Sequence, residues 1–462
     1  MAENLGRYAN HLALLSRLAV KRWTRRAIFL AGGLAVGLAA ALMTWLADGA
    51  QAKFTQIIAV FPYAGLILAP LGFGLATLLR LKVFPNTQGS GIPQVIAALR
   101  MEDRAARAEL VSLRVACGKI AVMTLGLLCG ASTGREGPTV QVGAAIMFAL
   151  GRVSPYRQAG FVLAGAAAGV AAAFNAPLAG IVFGIEEMSQ SFETRSSGLI
   201  VAAVIAAGMT SLALLGDYSY FGSTAARLPF GPGWAALLVC AAAGGLLGGL
   251  FIRLVVVFAE GLPGRPGVWV KAHPIAFAIL CGFGVALCGL NGDMSVFGTG
   301  YAQAKAVVHA DGPIDYGFAP LKFLATLFST ISGIPGGLFS PSLSVGAGLA
   351  SALSLVFHDV PLGALALIGM VSYLTGVVQA PITAFVIVSE MTDDHAMVFP
   401  LMAAALIANA ASRTLSKEGL YHRLARGFIT KGFLTTSFLA GGPERRDSQA
   451  RVESKHEQKS AD

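Results

Sequence analysis

The sequence predicts an all-α polytopic membrane protein with many broken or tilted helices. Three observations predict it: long uncharged stretches, prolines that interrupt them, and positive charge gathered at the two ends. Of 462 residues, 55% are hydrophobic and only 13% charged, with mean hydropathy +0.69. Soluble domains carry about 25% charged residues, so the deficit excludes an ordinary soluble enzyme and fits a chain whose solvent is lipid. No polar linker divides the interior, which implies one membrane domain.

The uncharged stretches come first. Residues 27–47, 198–216 and 228–252 can each cross a bilayer as one helix, which needs about 20 apolar residues. Residues 158–185, 323–358 and 360–389 also lack Asp, Glu, Lys and Arg, yet Pro177, Pro335, Pro341 and Pro381 interrupt them. Proline removes a backbone donor and ends or kinks a helix. Broken helices at membrane depth occur where they are buried in protein or line a watery cavity, and transporters use such breaks to aim helix ends at ions. Further apolar runs include 56–82 and 397–412, and short helices are expected near 92–100 and 417–427. Alternating strand patterns are absent, which argues against a membrane β-barrel.

Charge supplies the topology. Basic residues between Arg7 and Arg26 precede the first apolar run, and others from Arg413 to Lys459 follow the last. The positive-inside rule then puts both termini in the cytoplasm. The net charge of +10 is thus a topology signal; no aromatic-interleaved basic patch points to nucleic acid. The expected division is a basic segment 1–26, a membrane domain 27–430 and a polar tail 431–462, disordered from 440 onward. The five cysteines lie in apolar runs without a C-x-x-C pair, as packing thiols do, so no metal, disulfide framework or cofactor is expected. No small-residue cleavage site follows a short apolar core near the N-terminus, so the first span is expected to stay.

Two segments resemble each other. Asn175-Ala176-Pro177 opens an apolar helix that reaches Glu186-Glu187-Met188, and Gln379-Ala380-Pro381 opens one that reaches Glu390-Met391. Their prolines lie about 200 residues apart, the size of a repeat unit in many transporters. The pattern predicts repeats near 27–216 and 228–415, and leaves open whether they are parallel or inverted.

Three glycine-proline segments carry the chemistry: Gly89-Ser90-Gly91-Ile92-Pro93, Gly134-Arg135-Glu136-Gly137-Pro138, and Gly333-Ile334-Pro335-Gly336-Gly337-Leu338-Phe339-Ser340-Pro341. Each precedes or opens an apolar helical run. Glycine lets backbone approach a ligand, and proline suits a first helical turn. A helix start offers free N–H groups and a positive dipole end. Several of them converging would bind an anion without a full charge, which lets the anion leave again. The competing reading is that these glycines only pack helices.

Glu136 lies between two glycines beside a helix start in an apolar region. A carboxylate there can occupy the anion's place and leave it on protonation, so Glu136 is a candidate gate. The alternative, a bond to Arg135, is disfavoured because sequence neighbours do not face each other on a helix. Glu186 reads as a solvated helix end; Glu187 reads equally as a solvated end or a proton relay. Gly130-Ala131-Ser132-Thr133-Gly134 also matches the G-x-S-x-G elbow of serine hydrolases, but an apolar helix rather than a strand precedes it and no histidine pairs with it by motif.

The three segments, in this order, resemble the signature segments of CLC chloride channels and transporters. The resemblance runs over about residues 25–430. It includes A-A-A-F-N-A-P-L-A-G-I-V-F-G-I-E-E-M at 171–188, A-P-I-T-A-F-V-I-V-S-E-M-T at 380–392 and G-L-Y at 419–421. It implies a homodimer in the cell (inner) membrane with one pathway per subunit, each subunit built of two inverted halves. It also implies that Ser90 and Tyr421 offer hydroxyls to a central chloride, with backbone N–H groups of Leu338 and Phe339. Arg135, Glu136 and Gly137 would line an outer site gated by the Glu136 carboxylate, and Gly333, Gly336 and Gly337 would shape the loop. Glu187 matches the internal proton-transfer glutamate typical of exchangers, which favours chloride/proton antiport over a passive channel. Serine at position 90 goes with chloride rather than nitrate. The nucleotide-binding domains of many eukaryotic relatives are not expected after Tyr421.

Overall fold

The computed structural model describes residues 2–153, 158–189, 197–216, 221–292, 294–311 and 316–439; the expected disorder of 440–462 lies outside them. The described chain is helical, and its only bridges are two isolated pairs, Gly89 with Pro335 and Gly134 with Gly337. Among the described residues, seven helices are long and apolar enough to cross a membrane, and shorter apolar helices such as Gln158–Phe174, Leu362–Val378 and Pro381–Thr392 accompany them. Large apolar side chains including Leu71, Met209 and Leu406 face outward. That surface suits hydrocarbon better than water.

Local sequence explains the breaks. The basic N-terminal segment and the first apolar run form one helix, Ala2–Val60, rather than separate units. The apolar run 56–82, read as one helix, is two. It breaks at Phe61 (φ −126°, ψ 83°), before a short turn Pro62–Ala64 and the helix Gly65–Lys82. Proline excludes the preceding residue from helical torsions and cannot donate backward. The same device acts at Ala176 before Pro177 and at Ala380 before Pro381. Each follows a left-handed residue, Asn175 (φ 53°) and Gln379 (φ 59°). The segment expected to end the membrane domain at 430 continues as the helix Leu420–Leu439.

The repeat is visible in matched contacts. The helix Glu136–Leu150 packs on Gln158–Phe174 with Gly143 against the Gly165 carbonyl, and Phe339–Leu353 packs on Leu362–Val378 with Gly346 against the Gly369 carbonyl. Gly134 and Gly337 exchange backbone hydrogen bonds of 2.8 and 2.7 Å. Most telling are two glutamates. Glu186 follows the helix Pro177–Phe183 and accepts from Ile382 N (3.1 Å) and Thr383 N (2.6 Å), at the start of Pro381–Thr392. Glu390, near the end of that second helix, accepts from Leu178 N (3.0 Å) and Ala179 N (2.6 Å), at the start of the first. Each helix's far end therefore caps the other's beginning, so the two run antiparallel. Equivalent helices that run antiparallel belong to inverted halves.

A pair of buried lysines repeats as well. Lys119 Nζ donates to Thr87 O (2.7 Å) and Gly89 O (2.9 Å); Lys322 Nζ donates to Val296 O and Gly298 O, both at 2.8 Å. Each ammonium ties down a loop with two positive-φ glycines, Gly89 and Gly91 in one, Gly298 and Gly300 in the other. Carbonyl oxygens satisfy part of each buried charge, as burial demands.

Candidate anion site

Three helix starts meet at the crossing of the two halves. The helix Ile92–Arg100 begins after Gly91, whose φ of 91° places Pro93 in the first turn. Glu136–Leu150 begins with Glu136, Gly137 and Pro138, and Phe339–Leu353 begins after Leu338 with Pro341 in its first turn. The loop before the third start holds the others in register. Gly89 N donates to Ile334 O (3.2 Å), Gly336 N donates to Gly89 O (3.0 Å), and Gly134 and Gly337 bridge as described. Pro335 therefore sits in a bridge rather than at a helix start, where its missing N–H costs nothing. Gly333 turns the chain into this loop with φ 76°. At Gly137 a Cβ would stand 2.9 Å from Ser90 Cβ and 3.2 Å from Gly337 Cα, so only glycine lets the three backbones approach this closely.

This arrangement aims first-turn N–H groups, unused inside their own helices, at one place. A cavity of about 360 Å³ opens beside it, lined by Gly89, Ser90, Pro93, Gly336, Leu338 and Tyr421 among others. The Ser90 hydroxyl accepts from Ile92 N (3.3 Å), which leaves its proton free to point elsewhere. Tyr421, fully buried and 6.3 Å centroid to centroid from the Phe339 ring, has no hydrogen-bond partner for its hydroxyl among the described residues. Buried hydroxyls normally have a partner, so this one is a donor suited to a ligand. Two hydroxyls and converging helix starts fit a small monovalent anion, and Arg80 also borders the cavity.

Two acidic side chains flank the site. Glu136 is fully buried, and Oε1 accepts the Ser340 hydroxyl at 2.6 Å, so its carboxylate lies across the facing starts of the second and third helices. The neighbouring Arg135 guanidinium turns away to pair with Asp48 and to donate to Thr44 O, bordering a second hollow of about 640 Å³ with Gln51 and Thr299. Glu187 is also buried, in the π-helical turn Gly184–Ser189 that extends the helix Pro177–Phe183. The Tyr421 phenol lies within electrostatic reach of both carboxylates. Glu186 is not the solvated helix end expected; it is half-buried and caps the helix Pro381–Thr392. A π turn shifts the register by one residue, and here Glu186 and Glu187 are committed to different surroundings.

Backbone bonds bring the three segments together here, with Ser90, Leu338 and Tyr421 on the cavity, while the Arg135 side chain turns away to the second hollow. Sequence reasoning missed Asp48, Ser340, Lys119, Lys322 and His422. A lone cation inside an apolar run was a readable signal for the lysines; the others depend on long-range folding. The Ser132 hydroxyl meets the Thr326 hydroxyl at 3.1 Å, and its backbone donates to Ser329 Oγ. It follows a helix rather than a strand, so the elbow pattern has none of the geometry a hydrolase needs.

Comparison with known proteins agrees with this geometry. A family model described as voltage gated chloride channel matches residues 72–413. The chain is 30% identical over 405 residues to the H(+)/Cl(-) exchange transporter ClcA of Yersinia pestis bv. Antiqua (strain Angola), covering 82% of each. Over 420 residues it is 29% identical to ClcA of Citrobacter koseri, covering 84% of each. Among solved structures, a slow cyanobacterial Cl-/H+ antiporter superposes with a TM-score of 0.75 at 25% identity, over 88% of this chain and 98% of that one. A CLC-type fluoride/proton antiporter shares the fold at a TM-score of 0.69 and 20% identity, over 88% and 98%. Helix starts converging between two inverted halves, and a family match across most of the chain, identify it as a member of the voltage-gated chloride channel (CLC) family.

Proposed function

We propose that this protein is a chloride/proton antiporter. The observation that carries the reading is a pair of buried carboxylates, Glu136 and Glu187, both within electrostatic reach of the Tyr421 phenol beside the anion cavity. A passive pore needs donors for the anion; two buried acids beside it suit a protein that also moves protons. That ClcA proteins sharing about 30% identity are named H(+)/Cl(-) exchange transporters supports the same reading.

In this reading Ser90 and Tyr421 donate hydroxyl hydrogens to a central chloride, and the N–H groups of Leu338 and Phe339 complete its shell. Backbone at Arg135, Gly137 and Gly337 lines an outer position that the Glu136 carboxylate occupies in the closed state. When Glu136 takes a proton it loses its attraction for the helix starts and swings out, and chloride takes its place. When the proton leaves toward Glu187, the carboxylate returns and expels the anion. One group thus competes with chloride and carries the proton, which couples the two movements. The subunit is taken as repeats 27–216 and 228–415 in a homodimer, with both termini in the cytoplasm.

The test is a chloride gradient imposed on liposomes reconstituted with the purified protein while external pH is recorded. Antiport gives uphill proton movement driven by chloride alone. Chloride flux without proton movement would instead establish a passive channel.

A further inference from the structure

Beside Glu187 lies a side chain that the three signature segments do not contain. His422 follows Tyr421 in the first turn of the helix Leu420–Leu439, which packs against Ile92–Arg100. Its Nε2 stands 3.6 Å from Glu187 Oε1. That oxygen is buried and has no hydrogen-bond partner among the described residues. The Glu187 side chain is 3% exposed, whereas that of His422 is 18% exposed, so the imidazole spans the step from interior to solvent. On its other side, Nδ1 faces the Arg100 guanidinium at 3.5 Å.

We propose that His422 is the entry relay that passes protons between the aqueous phase and Glu187. The proposal rests on the antiport reading above. Arginine can only donate a hydrogen bond, so Arg100 holds Nδ1 as the acceptor and leaves the proton on Nε2, facing the carboxylate. In the inward step the Nε2–H bond breaks and an O–H bond forms on Glu187. The exposed Arg100 side chain moves off Nδ1, which takes a proton from a hydronium ion and releases water, and the ring remains neutral in the other tautomer. After Glu187 hands its proton on, exchange with solvent restores the first tautomer. No charge accumulates on the ring, and the reverse sequence carries protons outward.

The surrounding charges leave His422 available for this. On its own side Glu418 is engaged by Arg426. Glu260, from the helix Pro232–Glu260, is engaged by Arg423 at 2.9 Å. Glu186 is engaged by Ile382 and Thr383; Arg100 and Glu187 stand 3.5 and 3.6 Å from the imidazole, and Glu418 and Arg426 act on it from farther off. Tyr421, the chain neighbour of His422, borders the anion cavity.

The experiment uses the full chain in liposomes, with His422→Ala and the closer-sized His422→Asn beside the wild type. Proton and chloride fluxes are recorded together, with and without millimolar imidazole in the buffer. A relay predicts proton flux down about tenfold or more, as for loss of a positioned acid-base group. It also predicts unchanged chloride binding by calorimetry and recovery of proton flux with added imidazole. In a Glu187→Gln background neither substitution should change proton flux further. Wild-type proton flux in either folded variant overturns the relay while leaving antiport intact. Lost flux that imidazole does not restore overturns it in favour of a packing role. An uncoupled wild type overturns both readings at once.

Discussion

Replacing Ser340 by alanine removes the hydroxyl that donates to Glu136 Oε1 at 2.6 Å in the closed site. A hydrogen bond to a charged group contributes about 1.5–3 kcal/mol. At 1.4 kcal/mol per decade, that weakens the closed gate by about 10- to 150-fold. In the proposed mechanism chloride and the carboxylate compete for one position, so apparent chloride affinity would scale with the fraction of gates already open. The lower end of the range is the better expectation, because the carboxylate also keeps the dipoles of the two helix starts. Calorimetric titration of chloride into Ser340→Ala should therefore give binding about tenfold tighter. The same substitution in a Glu136→Gln background should add little, since the competitor has already lost its charge. Unchanged or weaker binding in Ser340→Ala would refute the reasoning: the hydroxyl would then serve chloride rather than its competitor.

Three other perturbations test the rest of the site. Glu136→Gln should keep chloride flux and abolish chloride-driven proton movement, because an amide cannot carry the proton; liposome pH recordings decide it. Glu187→Gln should likewise conduct chloride and lose coupling in the same recordings, and normal coupling would remove Glu187 from the pathway. Glu186→Ala and Glu390→Ala should each lower stability by about 0.5–2 kcal/mol, since each strips the start of one helix of its acceptor. Their effects on thermal unfolding in detergent should add to within about 0.5 kcal/mol, because the caps share no partner.

The sequence carried the site's backbone better than its side-chain pairings. Glycines and prolines announce helix starts locally, so the helix expected near 92–100 is Ile92–Arg100, and the start read at Glu136 is where that helix begins. The break at Phe61 was missed inside an apolar run, although Pro62 marks it. Glu186 was misread because its acceptor role depends on N–H groups of Ile382 and Thr383, almost 200 residues away; charge at the end of an apolar helix reads as solvated until the partner helix is known. The antiparallel sense of the repeat was closed to the sequence for the same reason. Ala-Pro followed by Glu gives the equivalence of two helices, whereas their relative direction follows only from which end meets which. Asp48 lies in no motif, and Ser340, although inside the third segment, gives no local sign of its partner; only folding brings them to Arg135 and Glu136.

The buried lysines bear on how the cavity comes to favour negative charge. A trans peptide unit is planar, with its oxygen and its hydrogen pointing opposite ways. Lys119 draws the oxygens of Thr87 and Gly89 toward itself, and so turns the hydrogens of Gln88 and Ser90 to the far side. Gln88, Gly89 and Ser90 all border the cavity. A lysine behind the wall thus fixes the polarity of the strip of backbone that borders the cavity. It acts together with the bonds from Gly89 N to Ile334 O and from Gly336 N to Gly89 O, which hold the same stretch of backbone from the other side. Selection by sign then begins behind the wall of the pathway, in a cation held too far back to trap what it helps admit.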